Sequence, residues 1–214
     1  VQFVNGDRFL VNLGTVAATE ADATGVRIRS LNGLTNGGLL LASNGGRLEV
    51  GSTVDSFLNE GEVRAAEGST VTINAASWSN TGTLAVDGGT LNLGGAFTTA
   101  GLGTLVRSGG SVNLVGTMDN TGASFGLDAL TGPWHLSGGT IRGGTLALAD
   151  DSLLTFSSSG NNILDGVFVE GDLRLAGAQS TVRLRNGTSV SGTVSLTGTN
   201  TRLAFEGTQT FTGD

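Results

Sequence analysis

The chain has 214 residues, a formal charge of −7 and no Cys, Tyr or Lys, and Gly, Ser, Thr and Asn fill nearly half of it. With 14% charged and 5% aromatic residues it lacks the Ala, Glu, Lys and Leu of a helical bundle. The missing Cys removes disulfide scaffolds and thiolate metal sites, and the sign of the charge argues against a nucleic-acid partner. No apolar run is longer than that from Leu39 to Ala42, far too short to span a bilayer. The chain opens on Val1 with neither a leader nor an initiator Met, which predicts a processed chain or a piece of a longer one.

In chain order, residues 1–38 fit no repeat well and predict irregular N-terminal coils or a cap, with Phe9/Val11/Leu13 and Val26/Ile28 as strands. From residue 39 to 214 a template recurs. It has one alternating segment, a Gly-containing turn, a second alternating segment, and a single large apolar residue. The first apolar pairs are Leu39/Leu41, Val63/Ala65, Leu84/Val86, Leu105/Arg107, Phe125/Leu127, Leu146/Leu148, Leu173/Leu175 and Val194/Leu196. The second pairs run from Leu48/Val50 through Val71/Ile73, Leu91/Leu93, Val112/Leu114, Trp134/Leu136 and Leu154/Phe156 to Val182/Leu184 and Leu203/Phe205. The single positions are Phe57, Trp78, Phe97, Met118, Ile141, Ile163 or Leu164, Val190 and Phe211.

Alternation of period two places one side chain in and the next out. Two short strands and an apolar corner in about 21 residues cannot bury their faces alone, and must stack on their neighbours. The pattern predicts an all-β fold: a right-handed parallel β-helix, or β-solenoid, of about eight coils with three strands per coil, rising roughly 4.8 Å per coil. The turns agree. Asn44-Gly45-Gly46, Asp87-Gly88-Gly89 and Ser108-Gly109-Gly110 suit sharp bends. Asn59, Asn80 and Asn120 stand at matching positions, each with Gly two residues later; stacked amides there can bond to one another. The longer step before Leu173 predicts a loop within Ser157 to Asp165, with Ser157 to Asn162 as an exposed tip, and Asp128 to Pro133 predicts a bulge. Arg107 falls on an inward position, where an unpaired charge is costly; the strand is expected to end early and turn it to solvent. The last coil shows no cap, which predicts continuation of the solenoid and, in isolation, end-to-end self-association through Leu203, Phe205 and Phe211.

Trp134-His-Leu-Ser-Gly-Gly-Thr-Ile141, running on through Gly143-Gly-Thr-Leu-Ala-Leu148, resembles the Gly-Gly-Thr-rich repeats of bacterial surface β-helices. Asn200-Thr-Arg-Leu-Ala-Phe-Glu-Gly-Thr-Gln-Thr-Phe-Thr-Gly213 is similar to the autotransporter-associated β-strand repeat, and filamentous-haemagglutinin-like adhesins share the rhythm. The resemblance covers most of 39–214. It implies secretion to the bacterial cell surface and a role as adhesin or stalk, with surface glycans or host and matrix proteins as partners. It carries no catalytic residues across, and any membrane contact would come through parts absent from this chain.

The outward positions of the second strands decide whether there is a site. Thr72, Asn92, Asn113, His135, Thr155 and Arg183 form the candidate contact face, a nearly uncharged ladder of hydroxyls and amides able to touch a glycan weakly. His135 is the single His and has no adjacent carboxylate in the sequence; Trp134 points inward. Asp150-Asp151 is the one adjacent acid pair and sits in a turn. Paired acids in a β-helix groove resemble polygalacturonase-type glycosidases, yet the Gly-His-Gly and Arg-Ile-Lys elements of those enzymes do not occur, nor does the acidic calcium cluster of pectate-type lyases. Calcium nonapeptides and EF-hand loops are missing too, and no cofactor or metal is expected. Thr-x-Thr triplets fall in different columns of the template, against an ice-binding face. Arg174, Arg183, Arg185 and Arg202 predict a basic patch on the last two coils. The reading is a non-catalytic structural or adhesive segment. Its alternative is a carbohydrate-active β-helix, a polysaccharide lyase or glycoside hydrolase, or a glycan-binding module.

Overall fold

The computed structural model describes residues 7–21, 24–208 and 210–211. It is a parallel β-solenoid of about 9 turns with roughly 21-residue spacing. Among the described residues one short helix, Thr99–Leu102, interrupts the strands, and no helix is long and apolar enough to cross a membrane. Two compact units divide the chain, Val1–Val112 and Asn113–Asp214, the boundary falling inside the strand Ser111–Leu114.

In the first unit each turn contributes a strand to three sheets in succession. The first sheet holds Phe9–Asn12, Leu31–Asn36, Val54–Asn59, Ser77–Asn80 and Ala96–Thr98. The second holds Thr15–Ala18, Leu39–Ala42, Glu62–Ala66, Thr83–Asp87 and Thr104–Ser108. The third holds Val26–Ile28, Arg47–Val50, Thr70–Ile73 and Thr90–Leu93. Register aligns like with like: Leu34↔Phe57↔Trp78, Val63↔Leu84 and Leu48↔Val71↔Leu91. These columns are buried, and each fully buried side chain contributes about 1.5–3 kcal/mol. Trp78 stacks on Phe97 at 4.2 Å and donates its indole N–H to Gly94 O at 2.8 Å.

The predicted amide ladder exists in this unit and is longer than Asn59 and Asn80. Nδ2 of Asn12 donates to Oδ1 of Asn36 at 2.7 Å, Asn36 to Asn59 at 2.7 Å, and Asn59 to Asn80 at 2.6 Å. Asn36, Asn59 and Asn80 are buried, and each Nδ2 also donates to backbone carbonyls. In each Asn-x-Gly, the Gly lies against the turn before it. A Cβ on Gly38, Gly61 or Gly82 would stand 2.1 Å from the carbonyl oxygen of Gly14, Gly38 or Gly61.

In the second unit, Thr117–Asp119, Thr140–Arg142, Ile163–Asp165, Thr181–Arg185 and Arg202–Phe205 make one sheet, and Ser124–Leu127, Thr145–Leu148, Phe168–Glu170 and Ser189–Val190 another. Trp134–Leu136 pairs Leu154–Phe156, and Leu173–Leu175 pairs Val194–Leu196. Met118, Ile141, Leu164 and Leu184 form one buried column; Leu146, Val169 and Val190 form another. Trp134 is buried edge-on to Phe125, centroids 5.0 Å apart.

Several register expectations change. Leu40 and Ala42 are buried and Leu39 and Leu41 face outward, because Leu40 aligns with Val63. An unbroken Leu-Leu-Leu-Ala run carries no alternation, so the adjoining turn sets its face. Phe9–Asn12, Thr15–Ala18 and Val26–Ile28 each pair with a strand of the next turn, Phe9↔Gly33, Thr15↔Leu39 and Val26↔Leu48. The long step before Leu173 contains no large insertion. Phe168–Glu170 takes the place that Leu173/Leu175 was expected to fill, and each later strand moves one sheet along. The loop shrinks to 157–162, and Asn162 is buried, accepting from Gly138 N at 2.7 Å and donating to Thr181 O at 2.8 Å. The strand with Arg107 runs on to Ser108, with Arg107 opposite Val86. The side chain is half-buried, and its guanidinium curls back to donate to Gly109 O and Gly110 O. Partial burial lowers its pKa, and those two carbonyls satisfy donors that the inward position would otherwise strand. The last coil was expected to carry no cap; its final residues, Thr212–Asp214, lie outside the described residues.

Candidate functional site

The six candidate residues do not share one face. In the first unit, Thr72 and Asn92 lie opposite one another on the outer side of the third sheet, and Asn92 Nδ2 donates to Thr72 Oγ1 at 3.1 Å. Glu49 continues their column and pairs with Arg27 at 3.3 Å. Together with Arg47 and Thr70 they line a shallow depression of about 210 Å³. In the second unit His135 faces Thr155 across a strand pair, with His135 Nδ1 in contact with Thr155 Oγ1. Asn113 is half-exposed on the strand where the two units divide.

Arg183 leaves this face. Its strand pairs with Ile163–Asp165, so it stands beside Ile163 on the other sheet and its guanidinium grips Glu206. The one-strand shift after Phe156 is the cause.

A hydroxyl held by an imidazole is half of a nucleophile–base arrangement. Here Thr155 Oγ1 also reaches Trp134 O at 3.3 Å, and the pair is one ordinary rung of the strand register. The acids are occupied locally. Asp150 accepts from Ser152 N at 2.8 Å and Ser152 Oγ at 2.6 Å, and these bonds hold its pKa below the ordinary value. Asp151 sits 4.0 Å from Arg174. Asp128 accepts from Leu130 N and Thr131 N, each at 2.8 Å, which lowers its pKa likewise. Among the described residues no three His, Asp or Glu side chains gather.

The expected basic patch is replaced by a column of alternating sign. Asp119, Arg142, Asp165 and Arg185 stand opposite one another on successive turns, and Glu206 follows as the partner of both Arg185 and Arg183. Arg142 lies 3.7 Å from Asp165. Thr121 holds the Asp119 pKa down, aided by Arg142; Arg185 and then Arg183 do the same for Glu206. Sequence reading missed this column because its members are separated by whole turns and align only once register is known.

The lowered pKa values set a pH dependence. A carboxylate with a depressed folded pKa adds stability above its unfolded pKa and loses it as pH falls through the folded value. Asp119, Asp128, Asp150 and Glu206 all belong to the second unit. Thermal melts are therefore expected to shift down as pH drops below about 4, and hydrogen exchange is expected to quicken first within 113–214. An unchanged midpoint from about pH 6 to about pH 3 would show these bonds carry no net stability.

A groove that sequence reading also missed lies on the outer side of the first unit's first sheet. Phe9, Val11 and Leu58 with Thr35, Ser56, Ser77 and Ser79 line about 510 Å³, and Phe9 lies over Gly33. The signal was present as small residues aligned at Gly33, Ser56 and Ser77, but their alignment needed the register. No protein-family model, curated protein or solved structure matches the chain.

Proposed function

We propose that the chain is a structural and adhesive segment of a secreted, surface-displayed bacterial protein, acting by contact and not by catalysis. The observation that carries this reading is the engagement of five acids of the second unit: Asp128 and Asp150 cap turns, and Asp119, Asp165 and Glu206 alternate with arginines. An acid catalyst needs a carboxylate aimed at substrate, and these are aimed at the chain's own backbone and side chains. The outward ladders of Thr, Ser and Asn, together with the Gly-Gly-Thr rhythm of bacterial surface β-helices, support display and contact with glycans or matrix proteins.

The test is a polysaccharide panel paired with glycan and matrix-protein arrays. Retention on at least one array with no new reducing ends or unsaturated sugars is expected. Release of such products by the purified chain, at a rate abolished by substituting one side chain, would overturn the reading in favour of a lyase or hydrolase.

A further inference from the structure

In the second unit, the connections that lead into the Asn162, Gln179 and Asn200 corners stack on one another. Gln179 and Asn200 occupy equivalent positions with φ of 59° and 57°, and Gln179 N donates to Thr199 O at 2.7 Å. The strands that follow align Thr181 with Arg202. As a result Ser158, Gly160, Gln179, Thr181, Asn200 and Arg202 line a concavity of about 470 Å³.

The chemistry of this lining is unlike the rest of the unit. It offers one guanidinium, two carboxamides and two hydroxyls, and no carboxylate. Arg174, Arg183 and Arg185 are each matched by an acid, whereas Arg202 makes no ion pair among the described residues. Arg47 in the first unit also lines a depression, but that depression holds the carboxylate of Glu49, whereas none lines the recess of Arg202. A guanidinium presents a planar fork that fits a carboxylate or sulfate. Carboxamides and hydroxyls donate and accept, matching the hydroxyls around a sugar ring. Gln179 also holds a left-handed φ at a cost glycine would avoid, which keeps a carboxamide at the rim.

We propose that this concavity binds an acidic sugar residue, a uronate or a sulfated sugar within an oligosaccharide. Arg202 takes the anion, and Gln179, Asn200, Ser158 and Thr181 bond the ring hydroxyls. The proposal rests on the adhesive reading and names its ligand class. The test is titration calorimetry on the whole chain with an oligogalacturonate, a sulfated oligosaccharide, a neutral oligosaccharide of equal length, and inorganic sulfate.

Saturable binding of one acidic oligosaccharide is expected, with the neutral one at least about tenfold weaker. Arg202→Gln is expected to weaken the acidic ligand about tenfold or more, and Arg202→Lys by less, because it keeps the charge and loses the fork. Added salt is expected to weaken binding as well. Arg29→Gln, at an exposed position of the first unit outside both depressions, is the control and should change nothing; circular dichroism checks that each variant folds. Three results would overturn the site: no acidic oligosaccharide binds, Arg202→Gln binds as the parent does, or inorganic sulfate binds as well as the sugar. Adhesion that survives Arg202→Gln would remove this site alone. Cleavage of the oligosaccharide would remove the adhesive reading itself.

Discussion

Gly61→Ala is expected to destabilise the first unit by about 3 kcal/mol or more, lowering its thermal midpoint by about 10 °C. The new methyl would stand 2.1 Å from Gly38 O and 2.7 Å from Gly37 C. Both atoms belong to backbone of the preceding turn, whose own carbonyl is committed: Gly38 O accepts from Glu62 N at 2.8 Å. Neither can move without breaking the strand pairing. Gly68→Ala is the contrast. Gly68 has a φ of 69° but open space around it, so the cost there is backbone strain alone, about 1 kcal/mol. Denaturant unfolding of the two variants checks the difference. Equal losses would show that turn contact at Gly61 is softer than its geometry.

Asn59→Asp is the second large effect, about 3–5 kcal/mol at neutral pH. The substitution keeps the shape and removes the N–H donors. Oδ1 of Asn80, Thr83 O and Gly61 O, which now receive Asn59 Nδ2, would instead face a buried carboxylate. Such a group has its folded pKa raised above the unfolded value of about 3.9. It is charged at a cost above that raised pKa and relieved below it, so the deficit against the parent should shrink on acidification. The parent protein moves the other way, losing stability in acid through Asp119, Asp128, Asp150 and Glu206. Urea titrations of both proteins at neutral and acid pH measure the two trends. A deficit that stays constant or grows in acid would contradict the buried-charge account.

The architecture was legible because its rule is local. Val71-Thr-Ile73 and Leu91-Asn-Leu93 alternate cleanly, and the Asn-x-Gly pattern at Asn59 and Asn80 announces a repeated corner. Both readings agree with the observed register. Where alternation fails, the reading fails with it. Leu39 to Ala42 could take either face, and Phe168-Val-Glu170 was too weakly patterned to be counted as a strand, which displaced all later assignments. The site was less legible still. Arg183 sat on the wrong face through that same displacement, and the alternating acid–base column joins residues 20 or more positions apart. Arg202 stood in the sequence among three other arginines. Only the pairing of those three with Glu206 and Asp151 sets it apart.

The amide ladder from Asn12 to Asn80 has a direction. Every rung donates toward the higher-numbered turn, and the last N–H groups end on Leu102 O and Thr104 O. Aligned amide dipoles polarise one another along such a chain, so the column behaves as a single polar filament threaded through the first unit. Its two ends are chemically unequal, one rich in acceptors and the other in donors. A turn that fails to bring its Asn into line leaves a donor or acceptor unmet inside the coil, so the filament ties each turn of the unit to its neighbours in a way that hydrophobic columns, which have no such groups to satisfy, cannot.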